Sequence, residues 1–224
     1  GVAVCPEHGV DSESLLRHAQ VAADSSEALE RHISYYRPEY DQYNARRLMM
    51  VSELKDAIKH DHLALYFQPK FNLKTQEVEG VEALVRWNHE RYGLVRPDEF
   101  ISIAEETGII RSLTRWVVPQ ALAAQERFKA RGFDLNMSIN LSVLNLREND
   151  LIAYLKTQLE EYKADPERIY LELTETSMMA NPLDAIEVLN RVCDLGFRLS
   201  VDDFGAGYSS LAYLKSLPAT EIKI

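Results

Sequence analysis

Between Asn136 and Ile224 the chain changes its hydrophobic period repeatedly, from two to 3.6 and back, and this alternation leaves few architectures open to it. Strand-like runs are read at Asn136–Leu141, Ile169–Leu173, Phe197–Val201 and Glu221–Ile224. Helical patterns lie between them, at Asn149–Lys163, Pro182–Leu195 and Ser209–Leu217. Three strand-to-helix steps of about 30 residues each predict a parallel sheet with right-handed crossovers. Upstream, Leu63–Gln68 and Val78–Trp87 flank the polar turn Asn72–Gln76 and read as a hairpin. Helices follow at Pro97–Thr107, where Pro97 suits a first turn, and at Leu113–Arg131, which stops at Gly132. An open doubly wound sheet and a (β/α)8 barrel both fit this rhythm. No GxGxxG or GxxxxGK[ST] follows a strand, so a nucleotide-phosphate loop is excluded.

Residues before this region are organised differently. The first 34 read as a strand, a turn at Pro6–Gly9 and a helix with Ser12 or Ser14 as N-cap, too little for an independent domain. From Pro38 to Lys59, Leu48, Val51, Leu54, Ala57 and Ile58 recur at helical spacing, as in a connecting helix. Cys5 and Cys193 stand far apart without CxxC spacing, which argues for two buried free thiols. The six histidines share no strand-end pattern and read as surface or linker residues. The opening at Gly1 inside an apolar run, and the ending on a strand-like run, read as a fragment cut at both ends.

Chemistry concentrates where strands end. Glu82 sits within Val81–Trp87, Asn140 ends Met137–Asn140, Glu172 ends Ile169–Glu172, and Asp202-Asp203 end Leu199–Val201. In a parallel barrel such ends converge on one face. Carboxylates gathered there without a cation are costly. Carboxylate and amide oxygens, with no Cys or His at matching positions, select Mg²⁺, Mn²⁺ or Ca²⁺ over Zn²⁺. The Asp202-Asp203 doublet suits two ions. Taken singly, each such residue is more often a turn former or cap, so the inference rests on the set. The formal charge of −10, from 35 acidic and 25 basic residues, disfavours a polymeric nucleic-acid partner. No run has the length of a membrane span.

Five ordered motifs resemble the EAL domain of cyclic di-GMP phosphodiesterases: Tyr66-Phe67-Gln68-Pro69-Lys70, Glu82-Ala83-Leu84-Val85-Arg86-Trp87, Asn140-Leu141-Ser142, Glu172-Leu173-Thr174-Glu175, and Asp202-Asp203-Phe204-Gly205-Ala206-Gly207-Tyr208-Ser209-Ser210-Leu211. Their separations match as well: 58 residues from Glu82 to Asn140, 32 to Glu172, 30 to Asp202, and 20 from Asp203 to Lys223. The resemblance implies an α/β fold, a modified (β/α)8 TIM-like barrel whose first strand runs against the others. It also implies hydrolysis of cyclic di-GMP to linear pGpG with Mg²⁺ or Mn²⁺, as two ions. Carried over by position, Glu82, Asn140, Glu172 and Asp202 are implied metal ligands and Asp203 a ligand of the second ion. Lys223 is implied beside the attacking water, and Gln68 and Arg86 against the dinucleotide. Glu175 and the loop Phe204–Ser210 are implied to couple a homodimer interface to the metals. A cytoplasmic setting, or the cytoplasmic face of a membrane-anchored parent, follows from the substrate, with no direct membrane contact by this segment.

The chain departs from that family in two respects. Ala206 replaces a common Thr, and the Asp after Lys223, a later glutamate and the last two strands would lie past Ile224. The barrel is therefore expected to be incomplete, and the isolated fragment to have little or no activity. A receptor or dimerisation module with a degenerate site is the alternative. Gly1-Val2-Ala3-Val4, Pro6-Glu7-His8-Gly9 and Leu15-Leu16-Arg17-His18-Ala19 resemble the end of a GGDEF domain, with no cyclase activity implied. The expected organisation is thus a GGDEF-like remnant over 1–36, a linker helix over 37–60 and a truncated EAL domain over 61–224.

Overall fold

A computed structural model of the chain describes residues 1–28, 32–178, 182–205 and 216–224. The helix expected over Ser209–Leu217 lies, up to residue 215, outside the described residues, as does the part of the expected coupling loop from Ala206 to Ser210. The chain divides into two units, Gly1–Leu54 and Lys55–Ile224, and α2 (Pro38–Lys59) carries the boundary.

In the first unit Val2 makes an isolated parallel bridge with Tyr35, where a strand was expected. Helix α1 spans Ser12–Ala28. Its cap is Asp11, whose Oδ1 accepts the Ser14 N–H at 2.8 Å, rather than Ser12 or Ser14. A carboxylate there satisfies an amide that the helix leaves unbonded and also meets the positive end of the dipole. His18 stacks on buried Tyr36 with ring centroids 4.0 Å apart, and His8 meets the same ring edge-on at 5.4 Å. These two histidines belong to a small packed cluster rather than to the surface.

The second unit begins with an antiparallel hairpin, β1 (Leu63–Asn72) and β2 (Glu77–His89), closed by the Gln76 N–H on Asn72 O at 2.8 Å. The short strand β3 (Gly93–Val95) pairs back onto β2. Then follow α3 (Pro97–Glu106), α4 (Ile110–Ala130), β4 (Asn136–Asn140), α5 (Leu151–Tyr162), β5 (Ile169–Thr174), α6 (Glu175–Met178), α7 (Pro182–Asp194), β6 (Arg198–Asp202) and β7 (Glu221–Ile222). The sheet order is β1-β2-β4-β5-β6-β7, parallel from β2 onward. Strand order follows chain order without reversal, which removes the doubly wound alternative. The sheet is curled enough for Lys70 on β1 to reach Glu221 on β7 at 2.6 Å.

Strand residues alternate between two faces. Val81, Ala83, Met137, Ile139, Ile169, Leu171, Leu173, Leu199 and Val201 are all buried on one of them. There the strands meet helices such as α4, whose Leu113, Val117, Val118, Ala121 and Leu122 are also buried. Each fully buried Leu or Ile contributes roughly 1.5–3 kcal/mol. The other face carries Glu82, Ser138, Asn140, Glu172, Ser200, Asp202 and Glu221, so the concave side is polar where barrels of this kind usually pack branched apolar residues. Among the described residues no helix is long and apolar enough to cross a membrane.

Candidate metal centre

Parallel pairing sets the registers Asn140↔Glu172, Glu172↔Ser200, Ser200↔Glu221 and Thr174↔Asp202, while β2 brings Glu82 opposite Ser138. Side chains of one parity therefore rise from adjacent strands into one space. One oxygen from each of Glu82, Glu172 and Asp202 lies within 4.8 Å of the others. Mutual repulsion opposes such a gathering, and a cation offsets it. In this structure the cation is the Lys223 ammonium. The Lys223 backbone N–H binds Val201 O at 2.8 Å, and Nζ donates to Glu172 Oε2 at 2.7 Å, Asp202 Oδ2 at 2.8 Å and Glu82 Oε2 at 3.0 Å. Partial burial alone would depress its pKa, but bonds to Asp202, Glu172 and Glu82 outweigh this and hold it well above the ordinary lysine value. Three convergent hard oxygens around one positive charge fit an oxygen-seeking divalent ion.

The structure brings some of the expected residues together and leaves others apart. Asn140 Nδ2 donates to Glu82 Oε1 at 2.9 Å, which places the amide beside the carboxylates. Asp203 does not join them. It follows β6 in a left-handed conformation with φ 55° and is exposed, its N–H on Asp202 Oδ1 at 2.9 Å. Gln68 is exposed on β1 and paired in register with Glu82. Arg86, half-buried further along β2, lies over the Tyr66 ring at 6.0 Å and lines a cavity of about 230 Å³ with Asn140, Ser142 and Thr174. Glu175, 4% exposed, opens α6, and its Oε2 accepts the Gly205 N–H at 2.6 Å. Gly205 has φ +98°, a conformation that favours glycine. The described part of the expected coupling element thus ties the start of α6 to the turn after β6.

Four polar residues on the concave face escaped the reading of strand ends. Lys70 Nζ donates to Ser138 Oγ at 3.1 Å, Glu172 Oε1 at 3.3 Å and Glu221 Oε1 at 2.6 Å, and Ser200 Oγ donates to the same Glu221 oxygen at 3.0 Å. Burial works against the Lys70 ammonium, but Glu221 and Glu172 raise its pKa above the ordinary value. The sequence signal was period two: Lys70, Ser138, Ser200 and Glu221 each lie two residues from Gln68, Asn140, Asp202 and Lys223.

The turn after β4 is fixed by a polar core. Asn145, fully buried, accepts from Thr114 Oγ1 at 3.0 Å and from the Ser142 N–H at 3.1 Å, and donates to Glu148 Oε1 at 2.7 Å. Ser142 Oγ donates to Glu105 Oε1 at 2.7 Å, which anchors the turn to α3. Asn145→Ala leaves the buried Thr114 hydroxyl and the half-buried Ser142 N–H without their partner. It is expected to cost about 2–3 kcal/mol in chemical denaturation, and a cost under about 0.5 kcal/mol would show that the network is replaceable.

Residues 51–224 match the family described as EAL domain. The signaling protein YkoW of Bacillus subtilis is 35% identical over all of this chain, which covers 28% of that protein. The cyclic di-GMP phosphodiesterase PdeR of Escherichia coli is also 35% identical over the whole chain, here 34% of its length. The chain thus spans about a third of the curated relatives it matches. Among solved structures, the PaMucR phosphodiesterase in complex with c-di-GMP superposes with a TM-score of 0.73 at 36% identity, over 79% of this chain and 72% of that one. The reversed first strand, the strand order and the acidic concave face find their common explanation here: the chain belongs to the EAL-domain family and has its TIM-like barrel fold.

Proposed function

We propose that this chain is the catalytic part of a metal-dependent phosphodiesterase that opens cyclic di-GMP to linear pGpG. The observation that carries the reading is the convergence of Glu82, Glu172 and Asp202 on the Lys223 ammonium, with Asn140 beside them. We assign Mg²⁺ or Mn²⁺ to Glu82, Asn140, Glu172 and Asp202, and a second ion to Asp203 at the rim of the same strand end. When bound, a divalent ion supplies Lewis-acid polarisation of the phosphoryl group and a water acidified enough to attack it.

The protein's own groups do the rest. Lys223, with its raised pKa, stays an ammonium at neutral pH. It therefore acts by charge beside the developing negative oxygen and not as a general base. Arg86, in the lining of the cavity, offers a planar fork to phosphate, and Gln68 offers an amide to the nucleotide. Net hydrolysis adds one water across a single P–O3′ bond and leaves a 5′-phosphate and a free 3′-hydroxyl. On this reading residues 1–36 are a GGDEF-like remnant, 37–60 the linker helix, and the protein a cytoplasmic homodimer coupled to the site through Glu175.

The test is turnover of cyclic di-GMP by the full-length protein with Mg²⁺ or Mn²⁺, with pGpG resolved by chromatography. Metal-dependent appearance of pGpG is expected. Tight binding of cyclic di-GMP with no product under either metal would replace this reading with that of a receptor.

A further inference from the structure

We infer that Lys70 is a positioning residue for the metal centre: from beneath, it fixes the carboxylate of Glu172 so that only one of its oxygens faces the divalent ion. The inference rests on the function proposed above and deepens it. Glu172 is fully buried and is gripped from two sides, Oε1 by Lys70 at 3.3 Å and Oε2 by Lys223 at 2.7 Å. The two oxygens thus have different tasks. Oε2 belongs to the triangle shared with Glu82 and Asp202, whereas Oε1 points down the concave face.

Lys70 is itself held in place. Glu221 Oε1 binds it at 2.6 Å and is bound in turn by Ser200 Oγ at 3.0 Å, while Ser138 Oγ accepts a further Lys70 N–H at 3.1 Å. The Tyr170 ring lies 5.4 Å from Nζ. Residues of β4, β5 and β7 therefore meet at the one ammonium that β1 supplies, with Ser200 of β6 behind Glu221, one register step below the acidic triangle.

Charge gives Lys70 a second consequence. Glu82, Glu172, Asp202 and Glu221 carry four negative charges against two positive ones on Lys70 and Lys223. Coulomb attraction alone would let a cation bind more tightly once Lys70 is neutralised. Positioning has the opposite sign, because outer partners that orient a ligand usually support metal affinity or activity by 10–100-fold. The direction of change therefore separates the two roles.

The experiment compares wild type, Lys70→Met and Lys70→Arg in the full-length protein. It reads Mn²⁺ binding by calorimetry without substrate, melting in chelator, and kcat and KM for cyclic di-GMP. Lys70→Met is expected to weaken Mn²⁺ binding by about tenfold or more and to lower kcat with little change in KM, and Lys70→Arg to recover most of both. Unchanged or tighter Mn²⁺ binding by Lys70→Met, or a loss confined to melting temperature, would overturn the inference. An inactive wild type that still binds Mn²⁺ would count against the proposed activity alone, because the metal titrations of the two variants decide the role of Lys70 without turnover.

Discussion

Glu82→Gln is expected to lower hydrolysis of cyclic di-GMP by more than about 100-fold, beyond what outer partners of a metal contribute, while leaving the metal-free fold at least as stable as wild type. Glutamine keeps the shape of the side chain and can still accept from Lys223, whose Nζ lies 3.0 Å from Glu82 Oε2. It removes one of the negative charges that the cluster holds together. The metal-free protein gains by losing that repulsion, and the metal loses a ligand. Sites of this kind trade stability for function, so opposite signs in the two measurements are the signature. Melting in chelator, Mn²⁺ titration and turnover are measured beside Lys129→Ala, a change at an exposed position near the end of α4. If the two variants titrate Mn²⁺ identically, Glu82 does not belong to the centre.

The same cluster shows how far the sequence could be read. The strands at Ile169 and Arg198 and the helices α5 and α7 were legible because their apolar residues recur at two distinct periods. Helix α4 begins at Ile110 rather than Leu113, because helix starts without a side-chain cap leave little mark in sequence. Strand β3 and helix α6 were missed, since three and four residues are too few to show a period. Parallel topology made the strand ends informative: Glu82, Asn140, Glu172, Asp202 and Lys223 are brought together. Asp203, implied as a ligand of a second ion, lies outside the triangle of Glu82, Glu172 and Asp202, because the chain leaves β6 at this residue in a left-handed conformation. Lys70, Ser138, Ser200 and Glu221 carry no such strand-end mark in the sequence. A barrel interior is usually filled by branched apolar side chains, so positions one rung below the strand ends read as core and not as a polar floor.

Lys223→Met is expected to separate the structural and catalytic duties of the ammonium. Without it, Glu82, Glu172 and Asp202 face one another with no cation among their oxygens. Removing one partner of a buried ion pair costs about 3–5 kcal/mol, and the partial exposure of this lysine reduces the expected loss to about 2 kcal/mol, read by denaturation in chelator. Saturating Mn²⁺ is expected to restore most of that loss, because an ion that binds only the folded state stabilises it by mass action and carries the missing charge. Turnover should stay down by about 10²–10³-fold even then, since a charge placed beside the reacting oxygen is not replaced by one among the ligands. Restoration of stability without restoration of rate is thus the outcome that gives Lys223 both duties. Full recovery of rate with Mn²⁺ would reduce it to a stand-in for the metal, and a metal-free variant as stable as wild type would mean that the three carboxylates do not need a cation to stay together.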